Sequence, residues 1–589
     1  MGHERTGRRL RWTAFAALAA VLAAPLPDAG AAHPHAPVPP APRELLNYAA
    51  IEKPVRAERG MVVSQSEAAS AAGARILRAG GNAVDAAVAT AFAMAVTLPR
   101  AGNIGGDGYM LIHTAGERRT RAIDFRSTAP AAATLERYLD AQGKVAGDKA
   151  GYLAAGVPGT VAGLALAHRK HGRLPWADLL QPAIALAAEG IVLSHDEAFA
   201  LDWGRQRLSL SGPGAAVFLH ADGSALRAGE RLLQPDLAWS LRQIAEHGED
   251  AFYRGRIAER LAAGMARHGG LITRADLAGY RAIERAALRT TYRGVEVATM
   301  PPSSGGGASI LEMLNILEHT DLRAQGAGSA AALHAMAEAI KLAWADRGRY
   351  AGDPDFATLP TAGVVSKAYA AERAKLISPT RARPAPQAPP GDPWPHESPQ
   401  TTHFSVVDTD GNAVSATYTL GSDFGAGVMI EGTGFLLGNL VGNFSIEAQA
   451  EAARAGEPAP ANALLPGRRP VSSMSPTLLL RDGALWMATG SPGGNTIPGT
   501  VMQMIVNVVD FGMNIAEATH APRIHQEMRG GELRVERGLS PDTVRLLEGL
   551  GHRVVPGETI GSTQTLMLGA QGVEGAADPR RPGAGAVAE

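Results

Sequence analysis

The sequence predicts an α+β fold, on the strength of three patterns. Residues 66–97 carry the spacing of two packed helices, helical periodicity dominates much of 155–350, and two stretches beyond residue 400 place Asp-Gly turns between β-forming runs. In the first pair, Gly80-Gly81 stops one helix and Asn82 caps the next, which begins near Ala83. A glycine-rich turn at 102–108 leads into a buried strand at 109–112. Its glycines follow a helix and precede a strand, the reverse of a dinucleotide-binding fingerprint, so close backbone packing is expected there. Residues 181–188 read as a helix with Pro182 in its first turn, and 331–345 as another. Prolines crowd 379–399, which is expected to be exposed and irregular.

The chain has 589 residues, 46% hydrophobic and 19% charged, which favours a large folded core over disorder. A formal net charge of −1, with no long basic run beyond the N-terminus, argues against a nucleic-acid footprint. Cysteine is absent, which excludes disulfides, thiolate zinc sites and a cysteine nucleophile. Arg5, Arg8, Arg9 and Arg11 precede an apolar run from Trp12 to Leu26, followed by small residues at 29–32. This reads as a removable secretory leader, residues 1–32, cleaved near Ala31 or Ala32. The run is short for a bilayer span, and Arg8-Arg9 also fits a twin-arginine route. A periplasmic or secreted chain without a stable membrane anchor is the expectation, with a Pro- and Ala-rich arm at 33–43.

Residues 401–408 are rich in β-formers, a turn follows at 409–412, and 413–420 completes a hairpin. A structural protein can contain the same hairpin. If the chain is cut between Gln400 and Thr401, however, Thr401 gains a free α-amine beside its own hydroxyl. Such an amine titrates near pH ~7.7–8.0, so it can take the hydroxyl proton without help from a histidine. His403 shares a strand face with Thr401, and a structural role is the favoured reading for it. A second hairpin at 478–489 runs into Gly490-Ser491-Pro492-Gly493-Gly494-Asn495, ahead of a helix from about 500 to 509. Successive glycine N–H groups and the helix dipole suit a developing oxyanion. A phosphate cradle is a poorer reading, since no Walker lysine follows, and a plain turn is the other alternative.

These stretches belong to longer blocks: GGNAVDAAVA (80–89), GNIGGDGYMLI (102–112), DFR (124–126), PGTVAG (158–163), MPPSSGG (300–306), QTTHFSVVD (400–408), SSMSPT (472–477) and GSPGG (490–494). Through them the chain resembles the γ-glutamyltranspeptidases of the N-terminal-nucleophile hydrolase superfamily, from about Gly60 to Arg580. The resemblance implies a four-layer αββα sandwich, made as one precursor and cut at Gln400/Thr401. A large subunit (33–400) and a small catalytic subunit (401–589) would stay together as an intertwined heterodimer. Thr401 matches the family nucleophile and Thr419 the threonine that positions it, while Gly493 and Gly494 match the oxyanion glycines. Arg126, Ser472 and Ser473 match the groups that hold a substrate α-carboxylate, roles that suit a guanidinium fork and paired hydroxyls. The implied reaction is attack on a γ-glutamyl amide such as glutathione, then hydrolysis of the acyl ester or transfer to an amino acid or peptide. No metal or organic cofactor is implied.

Three positions depart from the family pattern, all at the end that grips the substrate α-ammonium. Gly421 stands for the usual asparagine, Leu440 for Glu or Gln, and Asn443 for Asp. Loss of the carboxylate leaves a buried cation under-satisfied by about 1–3 kcal/mol or more. An acyl group lacking the α-amine, such as the glutaryl group taken by related cephalosporin acylases, is therefore expected to be preferred; replacement of the contacts by another side chain is the intermediate alternative. A carboxylate-binding pseudoenzyme is a further alternative, disfavoured by retention of the threonines, arginine, serines and glycines. Residues 445–468 match the family lid without any aromatic residue, so a mobile or absent lid and a bias to hydrolysis are expected.

Overall fold

Strands whose residues alternate between two apolar cores build the centre of the molecule. In the computed structural model, which describes residues 51–393, 405–569 and 572–589, the strands are β1 (Val55–Ala57), β2 (Met61–Ser64), β3 (Asp107–Thr114), β4 (Arg119–Phe125), β5 (Ile283–Ala286), β6 (Leu288–Tyr292), β7 (Val295–Thr299), β8 (Ser405–Val407), β9 (Ala413–Thr419), β10 (Thr477–Arg481), β11 (Ala484–Thr489), β12 (Gln564–Gly569), β13 (Gly572–Ala577) and β14 (Gly585–Ala588). They form two seven-stranded sheets, ordered β14-β2-β8-β9-β3-β4-β5 and β1-β13-β12-β11-β10-β7-β6, with every neighbouring pair antiparallel. Along β3, Met110 and Ile112 face one core while Tyr109 and Leu111 face the other, the two-residue period of a strand buried on both sides.

Helices close both outer faces. The first core takes α1 (Glu67–Arg78), α2 (Ala83–Thr97), α3 (Thr160–His171) and α4 (Trp176–Glu189). The second takes α5 (Gly306–Leu317), α6 (Ala330–Tyr350) and, after the short α7 (Ile446–Ala455) elsewhere in the fold, α8 (Ile497–Val509). The result is the αββα sandwich. Asn82 caps α2 as expected: its side chain accepts from Val84 and Asp85 N–H, and the Asp85 carboxylate accepts from Asn82 N–H. The glycine-rich turn is a site of close packing, with the bare Cα of Gly106 against the Thr419 carbonyl.

Two expectations need correction. Pro182 lies inside α4 rather than in its first turn, because the helix already starts at Trp176 after Pro175. The segment 445–468, expected as a mobile or absent lid, is present and partly ordered: 446–455 form α7, and Ile446 and Leu464 pack with Phe444, Val441 and Tyr138 in a small apolar cluster. Aliphatic anchors fix it where aromatic ones are missing. The described part of the proline-rich stretch is irregular and mostly exposed, but it is pinned along α6. Arg383 N–H donates to Glu338, Lys341 donates to the Arg383 carbonyl, and Gly391 N–H donates to Asp346. Gln400, Thr401 and His403, like the leader 1–32, lie outside the described residues.

Candidate active site

The ends of β3, β4 and β9 and the loops before β10 and α8 converge on a cavity of about 660 Å³. One wall is built around a buried arginine and two serines. Arg126 follows β4 and is fully buried; its Nη1 donates to both Asp107 oxygens at 2.6 and 2.9 Å, Nε to the Pro470 carbonyl and Nη2 to the Val471 carbonyl. Ser127 adds two more donors to Asp107, from N–H at 2.8 Å and from Oγ at 2.5 Å. Burial pushes the Asp107 carboxyl up from its ordinary range, and these donors together with the Arg126 charge oppose that. Ser472 and Ser473 sit opposite, their chain held by the 300–306 loop: Ser304 Oγ and Gly305 N–H both donate to the Ser472 carbonyl. Arg347, near the end of α6, donates from Nη2 to Ser473 Oγ at 2.8 Å.

The opposite wall carries Thr419, Gly493 and Gly494. Thr419 is the last residue of β9, and its Oγ1 accepts from Gly421 N–H at 2.8 Å, which leaves the hydroxyl proton to be donated elsewhere. Gly493 and Gly494 line the cavity where the loop tightens into a short 3₁₀ turn ahead of α8. Gly493 has φ +129°, and a Cβ there would lie 2.4 Å from Thr496 Oγ1, so only glycine keeps this backbone open.

The γ-glutamyltranspeptidase family model matches residues 69–588. The chain belongs to the γ-glutamyltranspeptidase family. As a γ-glutamyltranspeptidase-like enzyme with the N-terminal-nucleophile hydrolase fold, it is 47% identical to a glutathione hydrolase proenzyme of Escherichia coli (strain K12), over 96% of this chain and 97% of that protein. It is also 41% identical to the acylase ACY 1 proenzyme of Pseudomonas sp. (strain SE83), over 88% and 91%. Among solved structures, a cephalosporin acylase from Bacillus halodurans superposes with a TM-score of 0.82 at 30% identity, covering 94% of this chain and 99% of that one.

In this γ-glutamyltranspeptidase-family chain, the cavity brings together Arg126, Thr419, Gly421, Asn443, Ser472, Ser473, Gly493 and Gly494. Leu440 is not among the lining residues; it is 1% exposed and packs behind Gly421. A Cβ on Gly421, whose φ is +99°, would lie 2.3 Å from Asn439 Oδ1. The Asn439 carboxamide occupies that space, accepting from Ser422 N–H and donating to Ser422 Oγ and the Lys149 carbonyl. Sequence reasoning missed Arg347, Asp107, Asp423 and Arg100. Asp107 and Arg347 sit inside the family-like blocks or a helical run, where nothing in the spacing marks a site. Asp423 is the single carboxylate among the lining residues. Arg100 also lines the cavity, held by Asp196 at 2.5 Å and Glu197 at 3.0 Å; burial pushes Glu197 up to about 7 against the pull of Arg100.

Among the described residues, His334, Glu338 and His552 have the spacing of metal ligands. Their donors are already used: His334 Nδ1 and His552 Nε2 are 2.7 Å apart, His334 Nε2 meets the Ser378 carbonyl, and Lys341 donates to Glu338 at 2.6 Å. The buried ammonium beside the carboxylate opposes a divalent cation there. No described helix is long and apolar enough to cross a membrane.

Proposed function

We propose that this enzyme is exported to the periplasm or medium, cuts itself between Gln400 and Thr401, and hydrolyses amides of carboxylate-bearing acyl groups that lack an α-amine, with glutaryl amides as the type substrate. The observation that carries this reading is the asymmetry of the cavity. The carboxylate corner of Arg126, Arg347, Ser472 and Ser473 is complete, while the corner at Gly421 and Asn443 has lost its family carboxylate and Asn439 fills the space of the family asparagine. The hairpin expected after Thr401 supports this reading from Ser405 onward, where Ser405 pairs with Ser415 and Val407 with Ala413.

In the reaction, the Thr401 α-amine takes the hydroxyl proton as Oγ attacks the amide carbon. Thr419 orients that hydroxyl, and the Gly493 and Gly494 N–H groups receive the oxyanion. The proton passes to the leaving amine as the C–N bond breaks, leaving an acyl-Thr401 ester. Water or an amine then attacks the ester, returning its proton and regenerating the hydroxyl. The large and small subunits remain joined, since strands of both make up each sheet.

A second reading keeps ordinary γ-glutamyl substrates, with Asp423 as a replacement counter-charge for the ammonium. Intact masses of wild type and Thr401→Ala test processing: two fragments meeting at Gln400/Thr401, with the variant uncut, are expected. Comparing kcat/KM on glutaryl and γ-glutamyl p-nitroanilides tests the substrate. A glutaryl preference is expected; a strong γ-glutamyl preference that Asp423→Asn abolishes transfers the assignment to the second reading.

A further inference from the structure

We infer that Arg347, rather than Arg126, supplies the positive charge that selects a substrate carboxylate in this cavity. This rests on the proposed function for the identity of the acyl group, but not for the charge balance itself. The Arg126 guanidinium is neutralised by a bidentate carboxylate, and two main-chain carbonyls take its other edge. Arg347 has no such partner. Among the described residues, no ion pair includes it, its Nε is buried with no acceptor, and its one side-chain hydrogen bond runs to Ser473 Oγ.

The surroundings of Arg347 hold it in place without cancelling its charge. The guanidinium carbon lies 4.3 Å from the Trp344 ring centre, one helical turn earlier on α6, and the bare Cα of Gly305 lets the side chain pack against the loop that also fixes Ser472. Burial lowers its pKa only to about 10, so it stays a cation at neutral pH. Arg347 is half-buried with its Nε fully buried, and a charged donor whose buried N–H is open is unfavourable unless an anion completes it. Ser473 Oγ already accepts from Arg347, so its own proton is directed onward and can be donated to the same anion. Arg126 then orients the pair of serines through the 470–471 carbonyls, while Arg347 carries the uncompensated charge. An ammonium near this corner is repelled, which agrees with a dicarboxylic acyl group.

The test reads binding apart from turnover. The monoamide analogue 5-oxohexanoate, a methyl ketone isostere of glutaric acid monoamide with no C–N bond to cleave and a carboxylate at one end only, is titrated calorimetrically into processed wild type, Arg347→Gln and Arg347→Lys, alongside 2-hexanone, the uncharged ketone isostere of pentanamide. The expected result is an approximately 100-fold weaker Kd for 5-oxohexanoate in Arg347→Gln, partial recovery in Arg347→Lys, and no change for 2-hexanone. Self-cleavage, read by intact mass, shows that each variant folds; if Arg347→Gln fails to cut, the Arg347→Lys ratio of the two ligands decides. Equal 5-oxohexanoate affinity in wild type and variant, or a parallel loss for both ligands, overturns the inference. If 5-oxohexanoate binding depends on Arg347 but no glutaryl anilide is turned over, the proposed function fails and this inference stands.

Discussion

Replacing Gly421 by asparagine, the residue usual in the family, tests whether the lost ammonium contact is one side chain deep. The backbone there has φ +99°, outside the region that side-chain-bearing residues adopt at low cost, which contributes about 1–3 kcal/mol of strain. A Cβ would also stand 2.3 Å from Asn439 Oδ1 and would expel a carboxamide that makes three hydrogen bonds, each worth roughly 0.5–1.5 kcal/mol. Gly421→Asn alone is therefore expected to destabilise the protein by on the order of 3–5 kcal/mol. Because Gly421 N–H bonds to Thr419 Oγ1, it should also slow self-cleavage. The γ-glutamyl to glutaryl ratio of kcat/KM should not rise. The double variant Gly421→Asn/Asn439→Gly removes the clash and keeps only the strain, so it should recover part of the stability. Urea unfolding, the rate of appearance of the two fragments and the two anilide rates together give the answer. If Gly421→Asn kept wild-type stability and raised the γ-glutamyl ratio tenfold, the account of Asn439 as the occupant of that space would be refuted.

Two further outcomes follow from the same geometry. Gly493→Ala places a methyl against Thr496 Oγ1 and disallows the observed φ, so kcat on an anilide should fall by about 100-fold with little change in KM; an unchanged kcat would remove Gly493 from the oxyanion role. Glu197 is pushed up to about 7 by burial, with Arg100 and Arg581 pulling it down and Asp196 and Asp423 pushing it up. Its folded pKa exceeds the unfolded value, so the native state holds the extra proton between about pH 4.5 and 7, and stability falls as pH rises through that window by up to roughly 1.4 kcal/mol per pH unit. Urea unfolding of wild type and Glu197→Gln across this range should differ by that slope, and parallel curves would contradict it.

Much of the architecture was legible because it rests on local rules. The Asn82 capping box, the period-two burial of β3 and the Asp-Gly turns between β8 and β9 and between β10 and β11 are written in neighbouring residues. The family blocks then pointed to Arg126, Thr419, Ser472, Ser473, Gly493 and Gly494, which the cavity brings together. Pro182 was misplaced because Gln181 and Pro182 look like a helix start when the residues before them are not weighed as a preceding turn. The absence of aromatics in 445–468 points to a mobile or absent lid, whereas Ile446 and Leu464 pack with Tyr138, about 300 residues earlier in the chain, a partner that local sequence does not show.

The sequence by itself determined the α+β class, through hydrophobic period and turn chemistry, and its motif blocks carried the family resemblance that implies the αββα sandwich, Thr401 as nucleophile and the departures at Gly421, Leu440 and Asn443. Tertiary structure decided how the charges balance. That Asp107 neutralises Arg126, that Arg347 beside Ser473 has no carboxylate partner among the described residues, and that Asn439 fills the space over Gly421 depend on side chains brought together from separate strands, loops and helices. Electrostatic compensation and steric exclusion act through space over a few ångströms, and sequence separation carries no record of that distance.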